Sequence, residues 1–326
     1  MGAHLINWQG PVRAVFERGF VGVGIHENDR MRADMLADLK RVREGELVFI
    51  HAEERIWGIF RATAGFLCDP NEAVYPHHLP LATVVRFPQG AETIDLWRLR
   101  DAGKLWTVPF RFKYDDAART VRPLTDGEAE EIARVLMRRN PRGPEPALSP
   151  PEDTTGFEAI PIPLETNGGQ LRFEKELEAW ILDSRDQDQL KRVYGKPIFW
   201  GNKIPTSYFK TIDLLCLQEG NLPGVFEEKC RFGFIISELK AGRVDEDALK
   251  QMLGYIEWVS HRWVAGQKDF ITGVLIGSEI HRDVLQYVQQ RNRLEQYGNP
   301  LKLLRYRVVE GPPKTLSIEQ VEPAQP

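Results

Sequence analysis

In the first third of the chain, apolar positions come in short runs separated by turn residues: His4 to Trp8, Phe20 to Ile25, Glu46 to His51, Ile56 to Ala64 and Leu81 to Phe87. Runs of this length, rich in Val, Ile and Phe, predict strands, and a basic aromatic run near Phe110 to Tyr114 extends the series. The period changes in two places. Met31, Met35, Leu36 and Leu39 make an apolar stripe that predicts a helix over Asp29 to Arg41, and an Asp cap at Asp126 opens a second helix to Arg138. The pattern predicts a small β-rich domain with a few helices.

Beyond residue 170 the order differs. Phe173, Leu177, Trp180 and Ile181 fall at helical spacing, followed by strands over Tyr208 to Leu217 and Gly233 to Leu239. A long helix over Asp245 to Val264, a strand over Phe270 to Ile276, a helix over Arg282 to Leu294 and a strand over Leu301 to Val309 complete the series. Helices alternating with strands predict an α/β domain with a mixed sheet. Between the two patterns, Asn140 to Pro163 holds seven prolines. Proline lacks an amide donor and keeps its predecessor extended, so this stretch reads as a semi-rigid linker. The expected organisation is a domain over 1–140, a linker over 141–169, a second domain over 170–312 and a tail over 313–326, which suits a chain of 326 residues.

Composition narrows the class. With 42% hydrophobic and 28% charged residues, the chain is neither disordered nor collagen-like. Its longest apolar runs, such as Phe270 to Gly277, are far shorter than the roughly 20 residues of a bilayer span, so no membrane segment is expected. The first residues lack the pattern of a secretory leader. Cys68, Cys216 and Cys230 have no CxxC spacing, which argues against a disulfide frame and a zinc knuckle and for a cytoplasmic location. Lys plus Arg at 43 against Asp plus Glu at 47 gives a net charge of −4, so bulk charge offers no argument for nucleic-acid binding. Local basic clusters exist at Lys40 to Arg43, Arg138-Arg139 and Arg305 to Arg307, although such clusters are usually solvated faces. His77-His78, in a proline-rich stretch, reads as an exposed loop. The glycines from Gly19 to Gly24 do not open a helix and so carry no dinucleotide fingerprint.

The residues that carry chemistry lie in the second half. Asp213 sits on one predicted strand, and Glu238-Leu239-Lys240 ends the next. Side chains alternate along a strand, so Glu238 and Lys240 project to the same face and Leu239 to the opposite one. If the strands are neighbours, Asp213 joins them, and two carboxylates beside a lysine make a hard-oxygen pocket suited to Mg²⁺. Such an ion polarises a phosphodiester and activates water, with Lys240 positioning the nucleophile or stabilising negative charge. On the following helix, Gln251, Tyr255 and Trp258 share one face.

This ordered set resembles the PD-(D/E)XK nuclease superfamily in its RecB-like form. More narrowly, Ile212 to Leu215, Ser237 to Arg243 and Gln251 to Trp258 resemble the catalytic domain of NucS-type endonucleases, over about residues 170 to 310. The resemblance implies a restriction-endonuclease-like mixed sheet flanked by helices, and a metal site of Asp213, Glu238 and an acid on the first helix. Glu174 is the closest match for that acid, with Glu176 or Glu178 as substitutes; Gln251 and Tyr255 orient the site. The implied cofactor is Mg²⁺ or Mn²⁺. Gln218 to Arg231 is longer than the usual hairpin of that family. The bland alternative is a surface ion pair beside a packed helix.

Upstream, Phe20 to Ile25, Asn28 to Ala33, Val42 to His51 and Ile56 to Ala62 resemble the EVE and YTH modules of the PUA-like superfamily, with Glu46 where Asp is usual. That resemblance implies a small β-barrel with helices and a pocket for a flipped, modified base. Trp8, Trp57 and Phe66 are the expected walls, with Asn28 and Asp69 as polar readers. A β-barrel core also uses aromatic rings.

The combined expectation, α+β followed by α/β, is a modification-dependent DNA endonuclease. It would act on double-stranded DNA carrying an altered base such as modified cytosine, with a homodimer supplying two active sites. A repair or mismatch endonuclease and a non-catalytic nucleic-acid reader are the alternatives.

Overall fold

In the computed structural model of the chain, the described residues are 2–108, 120–146, 150–206, 210–222, 226–294 and 300–321, with side chains excluded over 220–232. The run near Phe110 to Tyr114 therefore lies outside the described residues, as does Tyr208. The chain divides into two compact units, Met1–Pro161 and Ile162–Pro326. Among the described residues no helix is long and apolar enough to cross a membrane.

The first unit runs β1 (Ala3–Asn7), α1 (Val12–Arg18), β2 (Phe20–Val23), α2 (Asp29–Leu39), β3 (Leu47–Ala52), β4 (Arg55–Ala62), β5 (Leu67–Cys68), β6 (His77–Glu92), α3 (Thr93–Asp101), β7 (Val121–Leu124), α4 (Asp126–Arg139), β8 (Glu145–Pro146) and β9 (Glu158–Ala159). The strands join in the order β7-β1-β3-β4-β6-β5-β9, with β2 and β8 also on β6. The long β6 serves as a spine. Bulges opposite Ile56 to Phe60 bend its pairing with β4. The expected barrel is not closed: among the described residues β7 and β9 end the path and pair with no further strand.

Beneath the sheet, Leu5, Phe49, Ile56, Phe87, Leu96, Ile132 and Leu136 form one buried cluster. Thr125, not Asp126, caps α4, and its hydroxyl accepts from the Glu128 amide in a capping box. Three further departures follow from local packing. His77 and His78 are buried on β6 rather than exposed in a loop, because His78 stacks on Phe20 at 4.0 Å and its Nδ1 meets Glu152. The proline-rich stretch is not a free spacer, since β8 and β9 pair with β6 and β5 and Ile160 is buried. Short helices α1 and α3 lie between the expected strands, where no element was expected.

The second unit runs β10 (Thr166–Asn167), β11 (Gln170–Leu171), α5 (Glu174–Asp183), α6 (Asp188–Tyr194), β12 (Phe199–Pro205), β13 (Thr211–Leu222), β14 (Phe226–Leu239), β15 (Arg243–Val244), α7 (Glu246–Trp263), β16 (Ile271–Gly277), β17 (Glu279–Ile280), α8 (Arg282–Asn292), β18 (Leu301–Val309) and β19 (Thr315–Gln320). Its main sheet is mixed, in the order β12-β13-β14-β16-β18-β19. The pairs β14/β16 and β16/β18 are parallel, with α7 and α8 as their crossovers. Asp245 caps α7 by accepting from the Ala248 amide. The buried Leu249, Met252, Ile256 and Val259 recur at helical spacing and turn that face to the sheet. Each such side chain contributes about 1.5–3 kcal/mol on burial. The expected tail over 313–326 is corrected in part: Thr315–Gln320 is the edge strand β19, held antiparallel to β18 with Leu316 buried.

Candidate active site

The site forms where β13 and β14 emerge beside the first turn of α5. Leu214 pairs with Ser237 across the antiparallel ladder, which carries Asp213 alongside the Glu238–Leu239 peptide. Asp213 Oδ2 accepts from the Leu239 amide at 2.9 Å. Glu238 is buried at 1% exposure, and Lys240 Nζ donates to its Oε1 at 2.5 Å. Glu174, the first residue of α5, brings its Oε2 to 3.7 Å from the same ammonium. An acid at a helix N-terminus is favoured by the helix dipole. Glu174, Asp213, Glu238 and Lys240 therefore converge.

Gln251 and Tyr255 close the other side. Gln251 Nε2 donates to Glu238 Oε2 at 3.2 Å and to the Tyr255 hydroxyl, which donates to the Thr211 carbonyl at 2.6 Å. Trp258, on the expected face of the same helix, instead meets Trp263 edge-on.

Lys175 and Asn202 join the site without having been anticipated, and Glu178 joins it in a different place from the one expected. Lys175 Nζ lies 2.6 Å from Glu178 Oε2 and 3.4 Å from Asp213 Oδ1. Asn202 Nδ2 donates to Glu178 Oε1 at 2.5 Å. Glu178, considered only as a stand-in for Glu174, is fully buried and occupies its own place beside it, one helical turn along α5. Glu176 points elsewhere, accepting from the Glu165 amide. Lys203, next to Asn202 on β12, has a left-handed backbone with φ 52. A non-glycine residue in that region costs roughly 1–2 kcal/mol, and such strain concentrates at working sites.

The electrostatics follow from crowding four carboxylates around two ammonium groups. Burial, then repulsion from Asp213, pushes Glu174 up to about 7 and Glu238 up to about 8. Burial also raises Asp213, against the pull of Lys175. Burial opposes ionisation of Glu178 too, but Lys175 and the longer-range charge of Lys203 overcome it and its carboxyl falls below the usual range. Lys240 is raised because Glu238 and Glu174 outweigh its burial.

Among the described residues no group of three or more His, Cys, Asp or Glu side chains is pre-formed around a cation, and lysine ammonium groups lie among the carboxylates instead. The donor set nevertheless suits a hard divalent ion. Glu174, Asp213 and Glu238 offer only carboxylate oxygens, burial and then the Asp213 charge hold protons on the two glutamates into the neutral range, and Glu174 makes no hydrogen bond among the described residues. The site opens outward through Glu174 and Lys240, whose side chains are 31% and 27% exposed.

The five residues expected to form a base pocket in the first unit are not joined in this way. No hydrogen bond, ion pair or ring contact links any two of them among the described residues. Trp8 faces Tyr75 at 5.3 Å between ring centroids, an aromatic neighbour that the sequence pattern did not single out. Trp57 donates its indole N–H to the Ala52 carbonyl and lies under Arg55. Asn28 caps α2, Asp69 accepts from the Asn71 amide in a turn, and Phe66 is buried at 6% exposure.

Neither the protein-family models nor the curated proteins give a match to this chain. Among solved structures, protein Atu2648 from Agrobacterium tumefaciens is similar at 16% identity, covering 45% of this chain and 99% of its own, with a TM-score of 0.30. Rpa0253 from Rhodopseudomonas palustris is similar at 12% identity, covering 41% of this chain and 92% of its own, with a TM-score of 0.26.

Proposed function

We propose that this chain is a divalent-cation-dependent DNA endonuclease of the PD-(D/E)XK, NucS-like kind, which cuts double-stranded DNA in response to an altered base. The observation that carries the reading is the convergence of Glu174, Asp213, Glu238 and Lys240, with Gln251 fixing Glu238 from the adjoining helix. A chance surface ion pair does not bury a glutamate at 1% exposure and back it with a glutamine-tyrosine relay. Glu174, Asp213 and Glu238 would hold Mg²⁺ or Mn²⁺, which when bound supplies a Lewis acid and lowers the pKa of attacking water.

The remaining chemistry belongs to the chain. Lys240 keeps its positive charge throughout the neutral range, because Glu238 and Glu174 face it. Its ammonium is placed at the exposed side of the cluster, where it stabilises negative charge developing on a phosphate and orients water. Gln251 orients the Glu238 carboxylate, and Tyr255 anchors Gln251 through the Thr211 carbonyl. Cleaving both strands calls for two such sites, which a homodimer supplies. The base-reading role belongs to the first unit by its EVE-like sequence, with modified cytosine as the first candidate and Trp8, Trp57, Phe66, Asn28 and Asp69 as the positions to probe.

The test incubates unmodified, 5-methylcytosine and 5-hydroxymethylcytosine duplexes with the full chain and Mg²⁺, beside Lys240→Ala. Cutting confined to a modified duplex and abolished by the substitution supports the reading. Equal cutting of all three removes base discrimination, and no cutting of any duplex removes the nuclease assignment.

A further inference from the structure

The geometry points to Lys175 as a built-in substitute for a second metal ion, so that the site works with a single exchangeable divalent cation. This rests on the proposed reading of the cluster as a metal-dependent nuclease. Two-metal phosphodiesterases hold their ions about 3.5–4 Å apart, clamping the attacking and leaving oxygens. Asp213 meets both sides of the cluster: its Oδ2 accepts from the Leu239 amide beside Glu238, and its Oδ1 approaches Lys175, which is paired with Glu178.

The Glu178 side is already filled. Lys175 Nζ lies within hydrogen-bonding distance of both Glu178 Oε2, at 2.6 Å, and Asp213 Oδ1, at 3.4 Å. The other oxygen of Glu178 accepts from Asn202, and that of Asp213 from the Leu239 amide. All four oxygens of this pair thus have a protein donor. Lys175 is three residues from Glu178 on α5, so both ends of the contact are anchored to one rigid helix. Withdrawing the ammonium would strand a fully buried carboxylate, a strongly unfavourable state.

The outer position has the opposite character. Glu174 makes no hydrogen bond among the described residues, and Lys240, which contacts Glu238 there, is partly exposed on a flexible stem. Glu174 and Glu238 would hold the exchangeable ion here, and Lys240, being partly exposed, could give up its contact with Glu238 without being left buried and unpaired. Lys175 supplies charge at the inner position permanently, but no exchangeable ligand sites.

The experiment counts Mn²⁺ bound to the full chain by titration calorimetry and by electron paramagnetic resonance, without DNA. The expected result is one ion per wild-type chain, two per Lys175→Gln chain, and one per Lys175→Arg chain, because arginine restores the charge. The double variant Lys175→Gln with Glu178→Gln returns to one, having lost the second carboxylate. Two ions on the wild-type chain overturn the inference and leave the nuclease reading standing. A folded Lys175→Gln chain that still takes one ion also overturns it, since a purely structural lysine predicts no change in stoichiometry. No bound Mn²⁺ on the wild-type chain removes the metal site altogether and the inference with it. Should Lys175→Gln fail to fold, the wild-type count remains decisive: two ions end the inference, and one ion, retained by Lys175→Arg, supports it.

Discussion

Gln251 Nε2 lies 3.2 Å from Glu238 Oε2, and the same amide group donates to Tyr255, whose hydroxyl donates onward to the Thr211 carbonyl. The two bonds that leave the helix, from Gln251 to Glu238 and from Tyr255 to the Thr211 carbonyl, both donate from helix to sheet, so the helix holds the buried glutamate in a fixed orientation. Tyr255→Phe leaves the Thr211 carbonyl and one amide N–H of Gln251 without partners, at a cost of about 1–3 kcal/mol in denaturant unfolding. Gln251→Leu keeps the fold but frees Glu238. We expect cleavage to fall by about 10-fold or more, a loss worth at least ~1.4 kcal/mol in the barrier, with a smaller effect on the unfolding midpoint. Cleavage at the wild-type rate in Gln251→Leu would sink the positioning role.

Crowding of carboxylates makes the second unit sensitive to alkali when metal is absent. Glu174 and Glu238 ionise near 4.5 in ordinary surroundings but are pushed up to about 7 and about 8 here, chiefly by burial and then by Asp213. The folded chain therefore holds protons that the unfolded chain releases. The resulting stability is fully present below the unfolded value and is lost as pH rises through the folded ones. Between about pH 6 and about pH 8.5 the metal-free protein should lose roughly 1–3 kcal/mol, and millimolar Mg²⁺ should restore most of it at the higher pH. Chemical denaturation at both pH values, in chelator and in Mg²⁺, reads this directly. A metal-free midpoint that rises with pH contradicts it.

Much of this site was legible because Asp213, Glu238, Lys240, Gln251 and Tyr255 fall on or at the ends of β13, β14 and α7, where period-two and helical spacing fix which side chains share a face. Lys175 and Glu178 were harder. An acid and a lysine three apart on a helix usually make a solvated pair, and only the burial of Glu178 against Asn202 distinguishes this one. In the first unit, period-two runs located β1, β3 and β4, but nothing local specifies whether a sheet closes. The bulged pairing of β6 with several partners is a long-range outcome, and it also turned His77 and His78 inward. Thr93–Asp101 escaped notice because the capping box of α3 uses Glu92 and Asp95 in place of the usual Ser or Thr with Glu or Gln.

The first unit has its own polar keystone in Glu128. Its carboxylate is fully buried and accepts from the amides of Trp106, Thr107 and Thr125 and from the Thr107 and Thr125 hydroxyls. Burial raises its pKa despite those donors, and its removal orphans several groups at once. Glu128→Ala should destabilise the unit by about 3 kcal/mol or more, since each buried unsatisfied donor costs roughly 1–3. Glu128→Gln, which keeps one acceptor oxygen, should lose less. The two unfolding curves test the order, and equal losses would place the effect in packing rather than in the hydrogen bonds.

Lys240 separates charge stabilisation from metal holding. Its ammonium contacts Glu238 and approaches Glu174, so it competes with any cation for those oxygens while remaining partly exposed to an incoming phosphate. Lys240→Ala removes that competition. Mn²⁺ should bind the variant as tightly as the wild-type chain or more tightly, whereas cleavage should fall by about 100- to 1,000-fold, the loss typical of deleting one preorganised electrostatic contact to a transition state. Calorimetric titration beside a single-turnover cleavage assay supplies both readings on one preparation. Weakened Mn²⁺ binding would mean that Lys240 holds the carboxylates in place, and undiminished cleavage would remove it from the chemistry.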